Sequence, residues 1–442
     1  MTRQPVPFVR LLQAVLACLV MMAATAQAEI TIEISQGVDN PIPVAVVPFG
    51  LVGANFIPED IAQIIGNDLM RSGQFASLPR GEMLSRPTRE SDVFYRDWQS
   101  VGSEYLVIGS IVQKGPDRWE IGFQLHDVKR GQRLHAQPVT AGTAQLRDAA
   151  HYIADVIYER ITGVKGAFST KLLYVTVDRY MSAGKVKARF GLQYADSDGA
   201  RTVTVLESVE PIMSPTWAPD GKRFAYVSFE TGRPAVYIQD RMSGAREKLP
   251  SFVGINGAPD WSPDGRYLAM TLSRDGNPEL YLFDFQTREL KRLTFNAAID
   301  TEPAWTPDSK SLVFTSSRSG GPQIYRMDIA SGEVQRLTYE GGYNARARVT
   351  PDGKGLVVVH RDPYDRFRIA LFNPERGTLQ VLTEGTQDES PSLAPNGVMA
   401  VYATQQQGRA VLAAVSVDGR IRLQLPAKGE EVREPAWSPL LK

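Results

Sequence analysis

The 442-residue chain has one cysteine, Cys18, and four histidines. A single thiol excludes an intrachain disulfide framework and a cysteine-rich metal module. His126, His135, His151 and His360 form no cluster along the chain, so no sequence signature marks a metal centre or His-dependent catalysis. Net charge is also missing: 49 basic residues match 49 acidic ones, which removes any general electrostatic drive toward nucleic acid or an anionic membrane. Beyond residue 28 no apolar run approaches the roughly 18 residues a spanning helix needs, so no direct membrane insertion is expected. Nucleotide and hydrolase motifs are absent too. Gly53 and Gly66 do not form G-x-G-x-x-G, no P-loop is present, and Ser316-Ser317-Arg318-Ser319-Gly320 lacks the G-x-S-x-G elbow and reads as a hairpin loop. No catalytic residue, bound cofactor or dedicated metal ligand is therefore assigned.

What is present starts with an export signal. Arg3 and Arg10 precede an apolar stretch from Leu11 to Ala24, and Ala26-Gln27-Ala28 places small residues where a signal peptidase reads, so residues 1–28 are expected to be removed before Glu29. Cleavage would take Cys18 with it, leave a net charge of −2, and place the protein in a compartment such as a periplasm.

The remaining length exceeds a single core, and an internal period divides it. Trp217, Trp261, Trp305, Val349, Leu393 and Trp437 are each 44 residues apart. Their neighbours repeat as well: "PTWAPDGKRFAYVS", "PDWSPDGRYLAMTL", "PAWTPDSKSLVFTS", "ARVTPDGKGLVVVH" and "PSLAPNGVMAVYAT" are versions of one strand, turn and strand. With "AVYIQD", "ELYLFD", "QIYRMD" and "RIALFN" following, each unit reads as four short antiparallel strands, the pattern of a β-propeller. The segment 169–209 holds three strands of a unit whose first strand is missing, and the tail "REPAWSP" supplies it. Pairing residues near 433–438 with residues near 171–178 closes six blades and removes free edges.

Residues 29–163 lack this period. "VAVVPF" at Val44 is an apolar strand, Pro58-Glu59-Asp60 opens a helix bearing Ile61, Ile64, Ile65 and Leu69 on one face, and Tyr105–Val112 with Trp119–Val128 makes a hairpin. A second helix over 144–161 carries Leu146, Ala150, Ile153, Ile157 and Ile161 at helical spacing. The fold class is two-domain: a small N-terminal α/β domain over 29–163, then a six-bladed β-propeller over 164–442 closed by the C-terminal strand.

The segments before the first strand of each blade form one rim: Met213-Ser214, Ile255 to Ala258, Asp300 to Glu302, Asn344 to Arg346, Asp388 to Ser390 and Arg433-Glu434. Asp300, Glu302, Asp388, Glu389 and Glu434 concentrate carboxylates there. They could hold a hard cation such as calcium or accept a basic partner, although spacing fixes no coordination shell and no cofactor is required.

The signal segment, the α/β domain, the six "PxWSPDG" units, the "NGAP", "TEP" and "ESPSLAPNG" rims and the closing "PAWSP" together resemble the TolB family, the periplasmic component of the Tol-Pal system. The resemblance spans essentially the whole chain. It departs from the family where Val349 and Leu393 replace Trp and where Ile255 stands at a rim position often occupied by His. It implies a non-enzymatic periplasmic adaptor, monomeric when free, that links TolA to the peptidoglycan-associated lipoprotein and serves outer-membrane integrity and constriction during cell division. It also implies that the mature N-terminus is the TolA-binding segment: Glu29, Ile30, Thr31, Ile32, Glu33, Ile34, Ser35, Gln36, Gly37, Val38, Asp39 and Asn40. Alternation of Ile30, Ile32 and Ile34 with polar residues suits strand addition, and equally a permanent edge strand. The lipoprotein is expected on the rim, with Ile255, Ala258 and Thr301 matching the family pattern and Met213, Asn256, Glu302, Arg346 and Asp388 on the same rim. Two other classes stay open: a peptidase or other hydrolase akin to propeller-containing prolyl oligopeptidases, which needs a further hydrolase domain, and a propeller that binds a glycan or small molecule.

Overall fold

The computed structural model describes residues 40–441. The α/β domain is built on a six-stranded mixed sheet. Strands β1 (Ile42–Val46), β2 (Gly50–Val52), β3 (Phe75–Ser77), β4 (Tyr105–Gly115), β5 (Arg118–Asp127) and β6 (Gln132–Ala141) are ordered β3-β1-β4-β5-β6, with β2 pairing beside β4. Pairing is parallel between β1 and both β3 and β4, and antiparallel from β4 to β6. Residues of β1 alternate between two cores, as the strand period of two requires. Val44 and Val46 face the helices α1 (Ile61–Arg71) and α3 (Leu146–Thr162), against Ile61, Ile65, Leu69, Ile153 and Ile157. Ala45, with Val47 just past the strand's end, faces the opposite way, toward Trp98 of the short helix α2 (Tyr95–Ser100).

Local chemistry fixes the helix ends. Asp60 caps α1, its Oδ1 accepting the Gln63 N–H at 3.0 Å, while Arg80 grips the same carboxylate at 2.7 and 2.8 Å. α3 stops at Gly163, whose φ of 76° suits the left-handed cap. The expected hairpin forms between β4 and β5. β6 was not foreseen from the sequence; it is the sheet's edge, where Pro138 is tolerated, and Leu134, Ala136 and Thr140 face outward with it.

Six four-stranded antiparallel sheets form the propeller. The last combines the C-terminal strand Glu431–Trp437 with β7 (Lys171–Ser182), β8 (Lys185–Asp196) and β9 (Val203–Ser208). Register runs from Glu431 opposite Val177 to Trp437 opposite Leu172, which is the expected closure. Lys171 and Ser438 tighten it with reciprocal bonds of 2.9 Å. Two of the recurring tryptophans tie blade to blade: the Trp217 indole N–H donates to the Ala436 carbonyl at 3.1 Å and that of Trp305 to the Asp260 carbonyl at 3.2 Å. Val349 and Leu393 fill the equivalent places by packing alone.

The candidate adaptor surface

Every innermost strand carries a bulge, and at each bulge a non-glycine residue takes positive φ: Ser214 (50°), Ala258 (46°), Glu302 (54°), Arg346 (52°), Ser390 (55°) and Glu434 (49°). These six positions, again 44 apart, line the mouth of the central channel. Repetition of the same unusual backbone six times aims one side chain per blade into the axis.

The charges gathered there differ from the bare carboxylate ring suggested by the sequence. Arg346 takes up the two acids that reach the axis: its Nε lies 2.7 Å from Glu302 Oε1 and its Nη2 lies 3.6 Å from Glu434 Oε1, and it also bonds Ser390 Oγ. Burial would push the Arg346 pKa down, but Glu302 and Glu434 hold it above the ordinary range. Glu389 stays exposed beside the cleft, whereas Asp300 and Asp388 turn inward. Asp300 is fully buried with Arg318 Nη2 at 2.6 Å, and Asp388 is fully buried with Thr404 Oγ1 donating at 2.5 Å; burial pushes both carboxyls up. Beside Arg346 a cleft of about 550 Å³ opens between Tyr343, Phe367, Asp388, Glu389 and Arg433.

The eight rim residues singled out in the sequence therefore divide. Met213 and Ile255 are exposed, at 39% and 47%, and Thr301 and Ala258 lie partly open at the mouth. Asn256 is buried: its amide bonds Phe252 O, Gly254 O and Phe252 N at 2.7–3.1 Å and so braces the loop that displays Val253 and Ile255. Glu302 and Arg346 form the axial pair, and Asp388 supports the cleft wall from within. Exposed Val253, Phe295, Ile299 and Tyr339 were missed. Ile299 stands one period after Ile255, so register alone could have found it, whereas Val253, Phe295 and Tyr339 have no singled-out residue one period away. Of the proposed N-terminal segment only Asn40 is described, and it is exposed; Glu29 to Asp39 lie outside the described residues.

A second polar centre joins the two domains. His151 on α3 looked partnerless in the sequence, yet its Nδ1 sits 2.6 Å from Asp68 Oδ2 of α1, and its Nε2 faces Asp196 and Asp198 of the closing blade at 3.7 and 3.9 Å. Three elements remote in sequence supply these partners, which is why spacing did not reveal them. Burial would lower the imidazole pKa, but Asp68 and Asp196 outweigh it and raise it above 6.5. Asp68, His151 and Asp198 place ligand atoms within 4.8 Å of one another, so this buried cluster could hold a metal ion. Cations of the protein already serve the same carboxylates: Arg71 bonds Asp68 at 3.0 Å, Arg147 pairs with Asp198, and Lys171 and Arg201 reach Asp196 at 2.6 and 2.8 Å.

Fold and surface define a two-domain propeller protein whose distinctive features are a channel mouth lined by six strained bulge residues and a charged domain junction. The TolB beta propeller domain family matches residues 158–441, and the TolB amino-terminal domain family matches residues 30–134. A Tol-Pal system protein TolB of Pseudomonas aeruginosa is 57% identical over 432 residues, covering 98% of this chain and 99% of its own. Its counterpart in Pseudomonas putida is 60% identical over 428 residues, covering 97% and 98%. The crystal structure of TolB from Acinetobacter baumannii superposes with a TM-score of 0.84 at 42% identity, covering 93% of this chain and all of that one. The chain belongs to the TolB family, the periplasmic, non-enzymatic adaptors of the Tol-Pal system, and it works with components of that system.

Proposed function

We propose that the protein links TolA to the peptidoglycan-associated lipoprotein, and so couples the Tol-Pal system to outer-membrane integrity and to constriction during division. The observation that carries this reading is the mouth itself: exposed Met213 and Ile255 surround a polar axis built on Arg346, an apolar contact area with charged groups at its centre that suits a protein partner. Met213, Ile255, Ala258 and Thr301 make the contact, Glu302 and Arg346 supply the polar centre, and Asn256 and Asp388 hold the rim in shape. TolA takes Glu29 to Asn40, freed when the signal 1–28 is removed, as an added strand with Ile30, Ile32 and Ile34 as its apolar side chains. Lipoprotein binding at the mouth shifts the population of that segment between docked and released, which requires two states of different partner affinity. Calcium is a secondary expectation at the axis, where it competes with Arg346 for Glu302 and Glu434.

Deletion of residues 29–40 followed by separate titrations tests the assignment. TolA binding should vanish while lipoprotein binding and the propeller fold survive. Retained TolA affinity would place that site elsewhere, and joint loss of both activities with a large fall in melting temperature would make 29–40 a structural strand.

A further inference from the structure

One blade is built differently from the other five. Its middle hairpin, β7 with β8, has strands of 12 residues each, whereas the corresponding strands elsewhere run six to nine. Closure does not use the extra length. The closing strand pairs with β7 only as far as Val177, and β9 pairs with β8 only as far as Phe190. Beyond them the pairs Arg179 with Ala188, Tyr180 with Lys187, Met181 with Val186 and Ser182 with Lys185 continue as a two-stranded finger. It ends in a two-residue turn, Ala183-Gly184, both at positive φ. Because Val177 lies opposite the start of the closing strand, the finger projects on the mouth side of the propeller.

Cross-strand partners share a face, and faces alternate along the ribbon. Tyr180, Lys187, Lys185 and Arg189 therefore lie on one side, with the Arg189 guanidinium 5.6 Å from the Tyr180 ring centre. Met181, Val186 and Ala188 lie on the other, and Met181 and Val186 are each 66% exposed. No acidic residue occurs from Arg179 to Ala195, although the chain as a whole is charge-balanced; Asp178 stands opposite Arg189 at the root of the finger, where it accepts the Glu430 N–H. Arg179 is paired with Glu431, but Lys185, Lys187 and Arg189 make no salt bridge among the described residues.

We propose that this finger is a peripheral contact for an anionic phospholipid surface, with Met181 and Val186 entering the headgroup layer and Lys185, Lys187 and Arg189 meeting lipid phosphates. Two flexible lysines at the tip beside two exposed apolar side chains fit a fluid headgroup layer, which offers diffuse negative charge and an apolar floor. A protein partner would have to offer acidic and apolar groups in fixed register to both faces of the ribbon, and that alternative is an outcome of the test below. No described helix is long and apolar enough to cross a membrane, so the contact is superficial.

The test is flotation of the protein, purified from the periplasmic fraction, with vesicles of phosphatidylglycerol and phosphatidylethanolamine, against vesicles of phosphatidylcholine and phosphatidylethanolamine. The protein should float with the anionic vesicles only, and less so as salt is raised. Lys185→Gln with Lys187→Gln should weaken partitioning on the order of 25-fold, about fivefold for each cation near the surface. Met181→Ser with Val186→Ser should also weaken it, and all four exposed substitutions should leave the melting temperature unchanged. Equal flotation with both vesicle types, or variants that float like the parent, would overturn the proposal. So would finger variants that lose purified sacculi or the lipoprotein domain while keeping the vesicles, because the ligand would then be a glycan or a protein.

Discussion

Replacing Asp196 by Asn should loosen the α/β domain from the propeller. Asp196 is 2% exposed and lies within 3.3 Å of three cationic side chains: Lys171 at 2.6 Å, Arg201 at 2.8 Å and Arg147 at 3.3 Å. Arg147 belongs to α3 and the other two to the closing blade, so this carboxylate spans the junction. Burial pushes its pKa up, but hydrogen bonds from His151 and Arg201 and the Lys171 charge hold it far below the usual carboxylate range. Asn conserves volume and removes the charge. Leaving buried cations without their partner costs about 3–5 kcal/mol. Asp148 still serves Lys171 and Arg201, and Asp198 still serves Arg147, which places the loss near the lower end, about 3 kcal/mol. Calorimetry should show a transition several degrees lower and the α/β domain melting ahead of the propeller. A cycle with Lys171→Met should return a coupling of roughly 1–3 kcal/mol. A loss below about 1 kcal/mol with an unchanged endotherm would mean that water already screens the junction, and the reasoning would fail.

Other outcomes follow from the same packing. Gly73 has φ +70° and an added Cβ would lie 1.6 Å from Ile421 Cδ1, so Gly73→Ala should cost roughly 2–4 kcal/mol, and Ile421→Ala should recover part of it in a thermal-melt cycle. Removing residues 431–441 takes Val432, Ala436 and Trp437 from β7; melting should fall, and the freed edge should give oligomers in size-exclusion chromatography. His151 has a folded-state pKa raised above 6.5, so its stabilisation is complete below pH 6.5 and is lost as pH rises through the folded value. Melts from pH 6 to 9 should show that decline, and His151→Gln should flatten it.

The propeller was legible because its signal is periodic: one aromatic or apolar anchor and one turn every 44 residues announce both blade count and closure. The α/β helices were legible from their apolar faces. β6 was not, since His135 and Gln137 stand on its half-buried face and Leu134, Ala136 and Pro138 on its exposed one, which masks the usual alternation. At the mouth, position was readable but direction was not. Asn256, Asp300 and Asp388 share the rim with Ile255, yet hydrogen bonds and ion pairs turn them inward, and only the folded bulges decide that. The junction around His151 was illegible for a further reason: Asp68, His151 and Asp196 are far apart in sequence and meet only once both domains have formed.

The adaptor reading is tested most directly by titrating the purified lipoprotein domain into the Ala258→Asp variant by calorimetry. Ala258 already sits at φ +46°, a region Asp tolerates, so the variant should fold and melt like the parent. A buried unpaired carboxylate at the centre of the contact should weaken lipoprotein binding by about 2–5 kcal/mol, on the order of 30-fold or more, while TolA binding is unchanged. An unaltered lipoprotein affinity in a correctly folded variant would contradict the assignment of the mouth as the docking surface.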